Sequence, residues 1–337
     1  MQATLRDIAE RAGVSVPTAS RVLSGSSYPV SDDLRHRVEE AAASLDYVPN
    51  AQARTLLTGR EQSIGVLVGS VDDPYFSEIV NGIHEAADGE RLLIMVSNTS
   101  RDPARELEHF RLFHAHRSRV IIIAGSGIAD PSYTATMTAR AASFMTSGGR
   151  VVSIGSTFDG VDRVVVDNRE AGRSLARHLV DLGHRRIGVI GGDPRVTSTL
   201  ERIAGVREVV EGVDGSLSVR HVTADRNGGL EGAEALLAED PQLTALVGTA
   251  DQMAIGALAH LRAVGTDCPG RVSVAGFNDI PLAQDLVPPL TSVHLPLREM
   301  GKRALQMGLA DRPGTGQQVV ELDTELRIRA STAGPPQ

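Results

Sequence analysis

A chain of 337 residues, 41% hydrophobic and 23% charged, has room for two or three domains and an ordinary globular composition. No apolar run approaches the ~20 residues of a membrane span, and residues 2–30 lack a basic start followed by an apolar stretch, so a cytoplasmic protein is expected. The net charge of −8 excludes a uniformly basic nucleic-acid binder, and the single cysteine, Cys268, excludes a disulfide within these residues.

Charge is local, however. Residues 1–60 hold seven Arg against seven Asp plus Glu, so the whole negative excess lies beyond them. That opening segment reads as helices without strands. Thr4 with Asp7 three residues on is a helix-start box, and Leu5, Ile8 and Ala12 make an apolar face. Gly13 stands where the chain must turn, because glycine alone takes positive φ without a side-chain penalty. Ser15 then caps a second helix with Pro17 in its first turn, whose Ala19 and Val22 face inward with Val14. Val16, Pro17, Ser20 and Arg21 are left outward, as on a recognition helix in a major groove. Arg21 suits guanine or phosphate, and the hydroxyls of Ser15, Thr18 and Ser20 suit phosphate. The bland alternative is a helical hairpin with a solvated Arg21.

Ser31-Asp32-Asp33 predicts the cap of a third helix, with Leu34, Val38, Ala41 and Leu45 at helical spacing. A fourth short pattern, Asn50 to Leu57, is stopped by Gly59 and is too short to be stable alone in water. The expected divisions are a head over 1–48, a hinge over 49–60, a core over 61–332 and a disordered tail over 333–337.

Beyond Gly59 the texture changes to short β-branched runs alternating with helical stretches. The runs are Ile64–Val68, Leu92–Val96, Val120–Ile123, Val151–Ile154, Val164–Val166, Ile187–Ile190, Val219–Val222, Ala245–Val247 and Val272–Ala275. Such alternation predicts an α/β class with mainly parallel sheets, and nine strands before the Val293 region and the Val319–Ile328 tail favour two lobes over one sheet. A helix is predicted over Tyr75–Ala87 from Phe76, Ile79, Val80 and Ile83.

On these residues the chain resembles the lactose-repressor (LacI/GalR) family of bacterial regulators, from Thr4 to about Ala330. The specific matches are Thr4–Leu23, the hinge run Pro49–Leu56, Asp73-Pro74-Tyr75-Phe76, Gly183–Ile187, Glu201–Gly205, Asp251–Gly256 and Pro288–Thr291. The resemblance implies a homodimer on a palindromic DNA operator. Asn50, Ala53 and Arg54 would belong to a minor-groove hinge, Ala53 facing its dimer mate and Leu56 acting as a wedge at the central base step. It also implies a periplasmic-binding-protein-like core of two doubly wound lobes, N-lobe about 61–166 plus 295–322 and C-lobe about 167–294 plus 323–332, with a small-molecule effector in the cleft between them. Open α/β sheets bind ligands outside the carboxyl ends of their strands. The expected wall is therefore Asp73, Tyr75, Phe76, Ser126, Thr197, Ser198, Thr199, Arg202, Asp251, Asn278 and Asp279, with Arg202 at the family's effector-binding arginine.

Four positions depart from the sugar-binding pattern: Ala250 for asparagine, Asn278 for aspartate, Leu295 for a polar group and Gly155 for aspartate. Losing hydroxyl acceptors disfavours a common hexose, leaving a carbohydrate or other small polar metabolite as the expected effector. The rival readings are an enzyme and a transport binding protein. Gly191-Gly192-Asp193 follows a strand, but neither nucleotide-binding glycine pattern nor a nucleophile elbow is present. His114 and His116 on one helix diverge by about 200°, which argues against a metal pair. No cofactor and no metal are expected.

Overall fold

The computed structural model describes residues 3–24, 30–47, 63–90, 92–125, 127–156, 158–310 and 316–336. The chain divides into two compact units, residues 1–62 and 63–337. In the first, α1 (Leu5–Ala12), α2 (Val16–Ser24) and α3 (Asp32–Ser44) close on a core of Ile8, Ala9, Ala12, Ala19, Val22, Val38 and Ala41. Small Ala9 and Ala19 let the helices approach. Ser31 sits at the N-cap of α3, but its hydroxyl makes no cap bond; the acidic Asp32 and Asp33 favour that end electrostatically instead.

In the second unit strands and helices alternate: β1 (Ser63–Val68), α4 (Pro74–Ala87), β2 (Leu93–Asn98), α5 (Pro103–Ala115), β3 (Val120–Ala124), α6 (Pro131–Thr146), β4 (Arg150–Ile154) and β5 (Asp162–Val165). Then come α7 (Asn168–Asp181), β6 (Arg186–Gly191), α8 (Thr197–Glu211), β7 (Ser216–His221), α9 (Arg226–Glu239), β8 (Ala245–Gly248), α10 (Asp251–Ala263) and β9 (Ser273–Asn278). Last are β10 (Thr291–His294), α11 (Leu297–Leu309), β11 (Val319–Glu321) and β12 (Glu325–Arg327). The central strands are unbroken apolar runs, Val120–Ala124 being buried throughout, as strands covered on both faces require.

Two six-stranded sheets result, ordered β11-β5-β4-β3-β1-β2 and β12-β10-β9-β8-β6-β7. Within the two sheets all described strand pairings are parallel except β10 with β12. The chain passes from the first lobe to the second after β5, returns after β10 as α11 packs on α4 and β4, and crosses again between β11 and β12. The Val319–Ile328 tail thus splits into two strands belonging to different sheets. β7 ends at His221, before the predicted Val222, and β9 runs on to Asn278, beyond the predicted Ala275.

The tail departs from expectation. Ala333 donates its N–H to Ser273 Oγ at 3.0 Å and accepts from His184 Nε2 at 2.8 Å, so the chain is tied down at Ala333 rather than disordered from it.

Candidate nucleic-acid interface and interlobe cleft

In the head, Thr4 Oγ1 accepts from the Asp7 N–H at 3.4 Å while Asp7 Oδ2 accepts from the Thr4 N–H at 2.8 Å, completing a capping box. Gly13 is left-handed at φ 63°, and its N–H reaches the carbonyls of Ala9 and Glu10, closing α1. Ser15 Oγ accepts from the Thr18 N–H at 3.3 Å and lies 2.7 Å from Thr18 Oγ1. Val16, Pro17 and Arg21 are exposed along α2, whereas Ser20 is half-buried. The hydroxyls of Thr4, Ser15 and Thr18 are engaged in capping, so they shape the recognition helix before they can touch anything else. Asn50, Ala53, Arg54 and Leu56 lie outside the described residues, as does Ser126.

In the core, one cavity opens at the carboxyl ends of the strands of both sheets. It brings together six residues of the expected wall: Asp73, Tyr75, Ser198, Thr199, Arg202 and Asn278. Arg202, on α8, is only 6% exposed. Its Nε donates to Asn168 Oδ1 at 2.9 Å, and its Nη1 donates to the Thr249 carbonyl at 2.7 Å and to Asn278 Oδ1 at 3.2 Å. The guanidinium carbon lies 4.9 Å from the Phe277 ring centroid, a cation–π arrangement. Burial brings the Arg202 pKa down to about 10. Asn278, at φ 106°, turns its amide toward Arg202 at the end of β9.

Asp73 caps α4, with Oδ1 accepting from the Tyr75 N–H at 3.0 Å, and burial raises its carboxyl pKa. Its Oδ2 faces Arg101 Nη2 at 3.7 Å. Arg101 itself, with Ala224, Thr249 and Met253, lines the cavity and was not on the expected wall. Ala224 and Arg101 follow edge strands β7 and β2. The signal that could have found Arg101 was its place just past the carboxyl end of β2.

Four expected wall residues are not on this cavity. Asp251 is fully buried, with Oδ1 accepting from Ser292 Oγ at 2.6 Å and Oδ2 from the Ile280 N–H at 2.8 Å. It holds β10 and the turn after β9 together beneath the wall. Asp279 turns away to Arg329 Nη1 at 2.7 Å and His294 Nδ1 at 3.2 Å. Burial opposes ionisation of Asp279, but these two partners prevail and its pKa falls. Phe76 is buried edge-on against Tyr75, ring centroids 4.9 Å apart, with Arg101 stacked on it at 5.3 Å. Thr197 donates its N–H and its hydroxyl to the Gly127 carbonyl, at 3.0 and 3.2 Å, and borders a separate cavity with Gly155 and Glu201. Leu295 is in the core.

That Thr197 contact is part of a clasp between the lobes. Ile128 and Val196 form an antiparallel bridge, and the Ala129 N–H donates to the Arg195 carbonyl at 2.7 Å. Ile128 comes from the loop after β3 and Val196 from the loop after β6, so the clasp ties one sheet's loops to the other's.

Residues 4–50 match the model for bacterial regulatory proteins of the lacI family, and residues 176–332 match a periplasmic binding protein-like domain. The HTH-type transcriptional regulator GalS of Salmonella typhimurium is 32% identical over 317 residues, covering 93% of this chain and 91% of GalS. The chain belongs to the lacI family. The regulator GalR of Escherichia coli is 30% identical over 91% of this chain and 89% of its own length. Among solved structures, the lac repressor dimer bound to operator and the anti-inducer ONPF superposes with a TM-score of 0.84 at 26% identity, covering 99% of this chain and 100% of that one. As a family member the chain couples a helix-turn-helix head to a two-lobed core. No helix among the described residues is long and apolar enough to cross a membrane.

Proposed function

We infer that this chain is a sequence-specific transcriptional regulator that binds a palindromic operator as a homodimer and represses from it, under control of a small molecule in the interlobe cleft. The observation that carries the reading is the combination in one chain of an exposed α2 face, Val16, Pro17 and Arg21, with a cleft centred on a buried, hydrogen-bonded Arg202. A scaffold held this way presents Arg202 to a ligand without reorganisation. Regulation rather than catalysis is the proposed role, and the cytoplasm is the proposed compartment.

The head is proposed as residues 1–48 and the hinge as 49–60, with Leu56 wedging the central base step and Asn50, Ala53 and Arg54 beside it in the minor groove. Unstacking a base step costs a few kcal/mol, which added groove contacts offset. Effector binding is proposed to shift the lobes between two arrangements, the Ile128–Val196 clasp being made in one of them. A ligand moves such an equilibrium only through its different affinity for the two.

The test is selection of duplexes from a random pool by the purified full-length protein at physiological salt. Enrichment of a twofold-symmetric site, with Leu56→Ala weakening binding to it and lessening its bend, supports the reading. No preference for any palindrome over random duplex overturns it.

A further inference from the structure

Five core helices open on an aspartate whose carboxylate accepts a first-turn N–H: Asp73, Asp102, Asp130, Asp167 and Asp225. Of the three described core α-helices that do not, α11 opens at Pro296, while α8 and α10 open at Val196 and Ala250, and both of the latter residues line the interlobe cavity. A helix start without a capping side chain carries roughly half a positive charge, and at α8 the Thr197 N–H already has an outside acceptor, the Gly127 carbonyl at 3.0 Å. Two such ends meet at one cavity.

Independent of the helix ends, two guanidinium groups border the same space. Arg202 spends Nε and Nη1 on protein acceptors, and among the described residues its Nη2 meets none. Arg101 comes from the opposite lobe, after β2, held on the Phe76 ring. Burial is what depresses the Arg202 pKa, so the guanidinium stands in a poorly hydrated place where a bound counter-charge counts for more. Against this stands one carboxylate among the described lining residues, Asp73, whose Oδ1 is committed to the Tyr75 N–H and whose Oδ2 faces Arg101. The charged groups at the cavity are thus two guanidiniums against one committed carboxylate, a balance that favours an anion over a neutral polyol.

We propose that the effector of this cleft carries a carboxylate or phosphate group, seated against Arg202 Nη2 and Arg101 and the first turns of α8 and α10. The proposal rests on reading the cleft as the effector site. The anion supplies the helix caps that Val196 and Ala250 lack, and it offsets the positive excess of Arg202 and Arg101 over Asp73.

The test is calorimetric titration and thermal shift of the full-length protein with matched three- to six-carbon probes: a neutral sugar or polyol, its carboxylate and its phosphate ester, with inorganic phosphate as the minimal case. Charged members are expected to raise the unfolding midpoint and to bind at least tenfold tighter than their neutral partners. Comparing the two charged arms tells carboxylate from phosphate. Arg101→Gln should cut charged-probe affinity tenfold or more, and Arg101→Lys should retain part of it, which separates loss of charge from loss of fold. The proposal is overturned if neutral members bind as tightly as charged ones, if no charged member stabilises the protein, or if Arg101→Gln binds the charged probes unchanged. The regulatory reading fails separately, when a charged probe fills the cleft and operator affinity stays the same.

Discussion

Gly172 on α7 lies against the main-chain carbonyl of Arg202 on α8, and Gly205 on α8 lies in the same way against the carbonyl of Arg169 on α7. A methyl group at either position would overlap the facing oxygen, so the two helices cross at a separation only glycine permits. Arg169 and Arg173 then reach across to Glu208, the latter at 2.8 Å, fastening the crossing on its outer side. The height of Arg202 above the cleft is therefore set by a residue with no side chain. Gly172→Ala should force the helices apart, cost about 1–3 kcal/mol of stability and weaken cleft-ligand binding at least tenfold while operator binding is kept. Denaturant unfolding together with ligand titration checks this, and unchanged ligand affinity would detach Arg202 from the crossing.

Asp251 gives a pH signature. Burial pushes its pKa from 3.8 up to about 7, against the Ser292 and Ile280 hydrogen bonds that favour the charged form. The folded pKa lies above the unfolded one, so the folded chain holds this proton longer. The resulting stability is fully present below 3.8 and is lost as pH rises toward about 7. Asp251→Asn does not titrate. Unfolding measured from pH 5 to 6.5 should show the wild type losing about 1.4 kcal/mol per pH unit relative to this variant. A difference that stays flat with pH would mean that Asp251 ionises normally.

The head makes its own prediction. Thr4→Ala removes the hydroxyl that accepts from the Asp7 N–H and leaves the start of α1 without its reciprocal cap. A loss of about 1 kcal/mol in head stability is expected, with weaker operator binding and unaltered cleft-ligand affinity. Equal DNA affinity in the variant would show that α1 needs no cap to present α2.

Ala250 offers a gain rather than a loss. Ala250→Asn supplies a side-chain acceptor at the uncapped start of α10, so the ligand-free protein should gain about 1 kcal/mol. Thermal unfolding without ligand reads it directly. A lower midpoint would indicate that the cavity has no room for the amide.

Periodicity and turn chemistry carried most of the architecture into the sequence. Gly13, Ser15 and Pro17 announce the head because each has one local physical job. Runs such as Val120–Ile123 announce parallel strands because both faces are covered. What periodicity does not encode is which way a polar side chain turns at the end of a strand. Asp251 was expected on the wall because it follows β8, yet it faces inward, where Gly276 leaves its carboxylate room beside β9. Asp279 was expected for the same reason, and Arg329, fifty residues on and beyond the last crossing, draws it away. Arg101 reaches the cleft only because the chain after β2 turns through two positive-φ residues, Ser100 at 54° and Arg101 at 56°. Neither is a glycine, so the sequence marks the place of Arg101 after β2 but not the turn that aims it.

Coupling between cleft and operator is the centre of this account, and one titration addresses it. Operator affinity of the full-length dimer is measured by fluorescence anisotropy with the cleft empty and with it saturated by a ligand found calorimetrically, for wild type and for Arg202→Ala. The account predicts a change of fivefold or more in the wild type and none in Arg202→Ala, which still binds DNA. The same operator affinity in the wild type whether the cleft is empty or full would contradict it.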